Sequence, residues 1–284
     1  MKTLLLMCIL SALSYIDTAR ILAVFPTPSI SHQVVFRVLT QALVDRGHEV
    51  VVITTDPAYP NGKAPANLIE IDLHDISYEF LSNMVLNSTE YEIGNESQWI
   101  THLKGMQYFM TIVGVQIQSE QVQALIREKK EFDLLLIEAY MRPAMVFSHI
   151  FKAPVIQVSS FGAMGENLEA IGASTHPILY PIPFRQRLYN LSMWDKMREY
   201  YYHFQFLYFN KINEGEQDKI LQRVLGQNIP SVSELINNVD MLFLNVHPIW
   251  MDNQPVPPSV VFMGGLHQKP EKELPKVLIH YYNL

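Results

Sequence analysis

RILAVFPTPSISHQVVFRVLTQALVDRGHEVVVIT, residues 20–54, reads as one repeating unit of chain. It opens on a continuous apolar run, RILAVF (20–25), and closes on a second, HEVVVIT (48–54). Between them, Val35, Val38, Leu39, Ala42 and Leu43 recur at helical spacing, and Gly47 stands where a helix C-terminus favours positive φ. A strand, a helix and a second strand are expected. Because both strands are apolar on both faces, they should pair in parallel with layers covering each side.

The same grammar returns downstream. FDLLLIEA (132–139) and APVIQVSS (153–160) are buried-type strands flanking YMRPAMVFSHIFK, and VDMLFLNV (239–246) and SVVFMGG (259–265) extend the pattern. Tyr78 to Lys130 reads as helices and loops. The expected fold is α/β, a doubly wound Rossmann-like parallel sheet over residues 20–265. Segment 188–213 is unusually aromatic, with Tyr200, Tyr201, Tyr202, Phe204, Phe206, Tyr208 and Phe209 covering most of a helix circumference. It reads first as a helix packed between other elements, and alternatively as a hydrophobic wall or a surface resting on a membrane.

Residues 1–19 combine an early Lys2, the apolar stretch LLLMCILSAL and small residues before Arg20, the pattern of a secretory signal peptide. The single cysteine, Cys8, lies inside it, so the processed chain has no thiol for disulfides, nucleophilic catalysis or metal ligation. Sequons at Asn87, Asn95 and Asn190 fit a lumenal glycoprotein, and no later apolar stretch is long enough to span a bilayer. A net charge of −7 without a Lys/Arg cluster argues against nucleic acid or an anionic membrane as the main partner. Small neutral ligands fit better.

In an open parallel sheet, ligands bind outside the carboxyl ends of the strands. His32 follows the first strand through PTPSIS, and Glu138 ends DLLLIE, so residues 106 positions apart in the chain arrive at one rim. Ser29 or Ser31 can cap the helix and place His32 in its first turn, where the helix dipole favours a neutral ring and hence a general base. A carboxylate at Glu138 could hold the other ring nitrogen and fix its tautomer. By spacing alone, a lone histidine after a strand is more often structural than catalytic, and Glu138 is the weaker candidate of the two. No G-x-S-x-G elbow, glycine-rich nucleotide turn, or His spacing for a metal occurs, and MGGLH (263–267) reads as a domain exit.

Five blocks in order, ILAVFPTPSISHQVVF, RGHEVVVITTDP, FDLLLIEAY, SVSELINNVDMLFLN and VVFMGGLH, resemble the N-terminal half of the UDP-glycosyltransferases, above all the insect members. The resemblance implies a GT-B fold of two facing Rossmann-like domains, the first binding the acceptor and the second the UDP-sugar. It implies that His32 is the general base of an inverting transfer, with Glu138 where the family usually has aspartate. Ser31 and Phe161 are assigned to acceptor binding, with loops 59–110 and 161–190 shaping the pocket. Implied partners are small lipophilic acceptors and UDP-glucose as co-substrate; no metal or cofactor is implied. The endoplasmic reticulum lumen is the implied compartment.

Family-like text reaches KELPK at Lys276, and residues 266–284 read as the start of a linker with a divergent tail, the donor domain being absent. Two functional readings follow. In one, the chain is the acceptor half of a sugar transferase, inactive alone. In the other, it is an inactive lipophile-binding or regulatory module that associates with full-length members. A carbohydrate hydrolase ranks behind both, because the paired carboxylates such enzymes need are not evident.

Overall fold

The computed structural model describes residues 18–60, 62–87, 98–180 and 190–269. The leader, Asn95 and the tail from 270 lie outside them. Seven strands form one all-parallel sheet in the order β3-β2-β1-β4-β5-β6-β7. They are β1 (Arg20–Phe25), β2 (Glu49–Thr54), β3 (Leu68–Asp72), β4 (Leu134–Glu138), β5 (Val155–Ser159), β6 (Met241–Leu244) and β7 (Val260–Phe262). The doubly wound α/β expectation is met.

Alternate residues of the same strands feed two cores. Ile21, Ala23 and Phe25 of β1, with Val50, Val52 and Leu136, pack beneath α1 (Ile30–Asp45), where the rings of Phe25 and Phe36 stack 4.1 Å apart. Leu22, Val24, Ile53, Leu135 and Ile137 face the other way. There they meet a helical layer that includes α3 (Gln98–Ile117), α4 (Glu120–Glu128), α5 (Val146–Phe151), α7 (Met193–Leu225) and α8 (Val232–Leu235). The other α-helices of the described residues are α2 (His74–Asn87) and the short α6 (Gly165–Ala170). Two-sided burial explains why these strands are unbroken apolar runs.

Three details depart from expectation. Of the positions read as the apolar stripe of α1, Val35 is buried, but Val38, Leu39 and Leu43 are half-buried and Ala42 is exposed, and the rest of the buried face is Gln33, Phe36, Thr40 and Val44. Gln33 can be buried because it donates to the carbonyls of Phe25 and Thr27 and accepts from the Thr54 hydroxyl. Ser29 does stand at the N-cap, but its hydroxyl bonds that of Ser31 at 2.9 Å and caps nothing. Finally, β3 is a strand inside what read as variable loop; LIEID lies at the sheet edge with only Leu68 buried, so it lacks the continuous apolar signal. Gly47, with φ 90, fills the left-handed position that ends α1.

The strand order reverses between β1 and β4. Chain leaving β1 turns toward β2 on one side, and chain leaving β4 turns toward β5 on the other, so a crevice opens at their carboxyl ends.

Candidate active site at the sheet switch point

Both sequence-selected residues sit at that crevice. Val24 pairs in register with Ile137, which brings the loop after β1 level with Glu138 at the end of β4. Glu138 is fully buried, and His32, in the first turn of α1, is 21% exposed at its side chain. His32 Nδ1 lies 2.9 Å from Glu138 Oε1. The longer glutamate side chain therefore still closes the pair.

Thr27, which sequence reading missed, completes the carboxylate. Its backbone N–H donates to Oε2 at 3.1 Å and its hydroxyl donates to Oε1 at 2.7 Å. With His32 Nδ1–H the acid accepts three hydrogen bonds, each of them from the β1–α1 segment. A buried carboxylate is tolerable only when satisfied in this way. The loop is itself pinned: Gln33 holds the carbonyl of Thr27, and Gln116 of α3 donates to the carbonyl of Pro26. Proline on each side of Thr27 was the available signal, since a polar residue in so constrained a turn has a fixed direction.

Because the carboxylate can only accept, Nδ1 carries a proton, and in the neutral ring Nε2 keeps its lone pair. Nε2 has no hydrogen-bond partner among the described residues. The arrangement can remove a proton from a hydroxyl presented to Nε2 and stabilise the resulting imidazolium through Glu138.

Two aromatic rings frame the histidine. Phe161 meets it edge-on at 5.5 Å between ring centres and stacks on Tyr140 at 4.4 Å, while Tyr140 lies 6.5 Å from His32. Burial, reinforced by the charge of Glu138, pushes the Tyr140 phenol far above its ordinary range, so it remains a neutral donor to the carbonyl of Gly162. Phe161 is thus at the site, partly exposed. Ser31 is exposed and close in sequence, but its hydroxyl contact is to Ser29 rather than to the pair. Asn190 is exposed with φ 54; Asn87 ends α2. Among the described residues no cluster of His, Cys, Asp or Glu could hold a metal ion, and no helix is long and apolar enough to cross a membrane.

A second polar cluster lies one turn beyond Glu138. Arg142, buried, places Nη1 3.4 Å from Glu166 Oε2, and Asn210 of α7 donates to the same oxygen at 3.0 Å. Among the described residues, Arg142 Nε and Nη1 have no hydrogen-bond partner. Burial, opposed by Arg142, holds the Glu166 carboxyl above the usual carboxylate range.

An ecdysteroid UDP-glucosyltransferase of Spodoptera littoralis nuclear polyhedrosis virus is 34% identical over 282 residues, covering 95% of this chain and 54% of the viral protein. That of Mamestra brassicae nuclear polyhedrosis virus is 39% identical over 260 residues, covering 87% and 48%. The chain thus spans about half the length of these relatives. Among solved structures, the glycotransferase of kitacinnamycin is 15% identical with a TM-score of 0.48, covering 87% of this chain and 51% of that one. The family model described as UDP-glucoronosyl and UDP-glucosyl transferase matches residues 20–284, past Lys276, and the chain belongs to that family.

Proposed function

We propose that this chain is the acceptor half of a two-domain, GT-B-type UDP-glucosyltransferase and that His32 is its general base. The observation that carries the reading is the His32 to Glu138 contact at 2.9 Å with Nε2 unpartnered at the switch-point crevice. Nε2 takes the proton of an acceptor hydroxyl. The oxygen attacks the anomeric carbon of UDP-glucose from the face opposite the leaving group, the bond to UDP breaks, and configuration inverts. Glu138 balances the charge that His32 gains. No metal is needed for the proton transfer.

The acceptor is a small lipophilic alcohol or phenol, with the Tyr140 and Phe161 stack as one wall of its site. Hydroxylated steroids are the leading class, because the relatives are named for ecdysteroid glucosylation. Ser31 lies at the outer edge. UDP-glucose belongs to the half of the relatives this chain does not span, so residues 20–284 alone bind acceptor without transferring sugar. The leader and the sequons at Asn87, Asn95 and Asn190 support residence in the endoplasmic reticulum lumen, and exposure of Asn190 is compatible with its glycosylation.

The test joins this chain to the donor half of a viral relative and measures UDP release with UDP-glucose and an ecdysteroid or a naphthol. His32→Ala should lower kcat by roughly a thousandfold, within the range for a lost general base, with acceptor affinity changed less than threefold. Undiminished turnover in the variant overturns the assignment. UDP release by the unjoined chain would instead show that no second half is required.

A further inference from the structure

Another polar cluster stands on the same rim as His32, at the carboxyl ends of β2 and β3, and the proposed proton transfer makes no use of it. Asp56 follows β2, and His74 and Tyr78 lie in the first turns of α2, after β3. The Asp56 carboxylate is satisfied where it sits. It accepts from the Thr55 hydroxyl at 3.0 Å and from the Tyr78 hydroxyl at 3.1 Å, while Arg37 of α1 donates to the Asp56 carbonyl. Burial and the charge of Asp56 push the Tyr78 phenol up to about 12, so it stays a neutral donor.

His74 has a ring atom to spare. Its Nδ1 lies 2.8 Å from the Thr55 carbonyl. A carbonyl only accepts, so Nδ1 carries a proton, and in the neutral ring Nε2 keeps its lone pair. Nε2 has no hydrogen-bond partner among the described residues. The ring packs on Tyr78 with centres 4.4 Å apart, and its side chain is 48% exposed. His74 thus repeats the arrangement of His32, held at Nδ1 and open at Nε2, with one difference. The group bonded to Nδ1 is a neutral carbonyl, and the Asp56 carboxylate, at 3.7 Å, is beyond hydrogen-bond reach. Without a bonded carboxylate to balance an imidazolium, the ring is suited to accept a hydrogen bond rather than to remove a proton.

The two histidines are tied together through the rim. The Thr55 hydroxyl donates to the Thr27 carbonyl at 2.9 Å, and Thr27 in turn holds Glu138. Glu138, Thr27 and Thr55 stand at the carboxyl ends of β4, β1 and β2, which are consecutive in the sheet. Two strand spacings therefore separate the supports of the two rings, about 10 Å along the crevice.

We propose that His74 Nε2 accepts a hydrogen bond from a second hydroxyl of the acceptor, about 10 Å from the hydroxyl that His32 deprotonates. The Asp56 carboxylate disfavours an anion at this point and the Arg37 guanidinium a cation, which leaves a neutral donor. The inference rests on the acceptor-half reading and narrows its substrate class to rigid lipophilic molecules hydroxylated at both ends.

Fluorescence titration of the chain, produced through the secretory pathway, tests it with para-biphenol, a rigid pair of rings with a hydroxyl at each end, and para-phenylphenol, the same skeleton with one. The native chain should bind para-biphenol roughly tenfold more tightly, about fivefold from one hydrogen bond and about twofold from its two equivalent ends. The monomethyl ether of para-biphenol keeps one hydroxyl and loses the second donor, so it should bind like para-phenylphenol. His74→Phe should cut the preference to about twofold. Tyr78→Phe, which disturbs the cluster but leaves the His74 ring its stacking partner and its bond to Thr55, should keep it. A native preference of only about twofold, an ether that binds as tightly as para-biphenol, or a full preference in His74→Phe overturns the subsite. So does an equal loss in Tyr78→Phe, which would assign the effect to packing. These outcomes leave His32 untouched as the base, because that role is read by turnover. Failure to bind any of the three phenols would instead overturn the acceptor-half reading on which the subsite rests.

Discussion

Two acid–base pairs, anchored four residues apart in the chain at Glu138 and Arg142, are built on opposite terms. Glu138 accepts three short hydrogen bonds and leaves its histidine open to the crevice. Arg142 and Glu166 are largely buried, 3.4 Å apart, and two guanidinium nitrogens go unpaired. The first pair is satisfied on the acid and unsatisfied on the base at the one atom that faces outward, which is where a proton can be taken. The second leaves its unpaired nitrogens buried. A polar pair is therefore read by where its unpaired atom points, not by its composition.

Breaking the second pair should have the largest effect on stability. Arg142→Ala strands the Glu166 carboxylate among α6 and α7 and should cost about 3 to 5 kcal/mol, measured by chemical denaturation. The double change Arg142→Met with Glu166→Leu should recover most of that loss, since both desolvation costs disappear together. A double variant no more stable than Arg142→Ala would show that the cluster specifies packing that apolar residues cannot replace.

At the first pair the effect is smaller. Thr27→Val removes one charge-assisted donor and keeps the backbone N–H, so about 2 kcal/mol should be lost. A loss under about 0.5 kcal/mol would mean that water replaces the hydroxyl and that the carboxylate is less enclosed than its burial states.

The smallest effect concerns pH. Burial raises the Glu166 carboxyl in the folded chain, so the folded state holds that proton more tightly than the unfolded one. The associated stability is present below the ordinary glutamate value of about 4.3 and is lost as pH rises through the elevated folded value. Relative to Glu166→Gln, the melting temperature of the native chain should therefore decline over that window and then level off. A difference that grows in favour of the native chain would mean that Arg142 outweighs desolvation.

Much of this was legible in the residues. RILAVF and HEVVVIT announce parallel strands because two-sided burial leaves no polar position, and strand-edge topology placed His32 and Glu138 on one rim. β3 was missed because an edge strand buries little and LIEID looks like loop. Thr27 was missed because its partner is 111 residues away: the flanking prolines mark a constrained turn but not what its hydroxyl meets. The aromatic content of 188–213 was plain in the residues, but not which rings are covered: Phe206 of α7 is buried while Trp194, Phe204 and Tyr208 are exposed, because residue types do not say which neighbour covers a face.

By itself, the sequence determined the class of fold, the family and the two residues at the crevice, since those follow from apolar runs, their order and a recurrent set of blocks. Only the tertiary structure decided that the glutamate reaches its histidine, that Thr27 satisfies it, and that α7 buries Glu199, Asn210 and Gln217 beside Phe206 while Trp194, Phe204 and Tyr208 stay exposed. Each of these depends on distances between segments far apart in the chain, which the packing of the sheet and its helical layers sets.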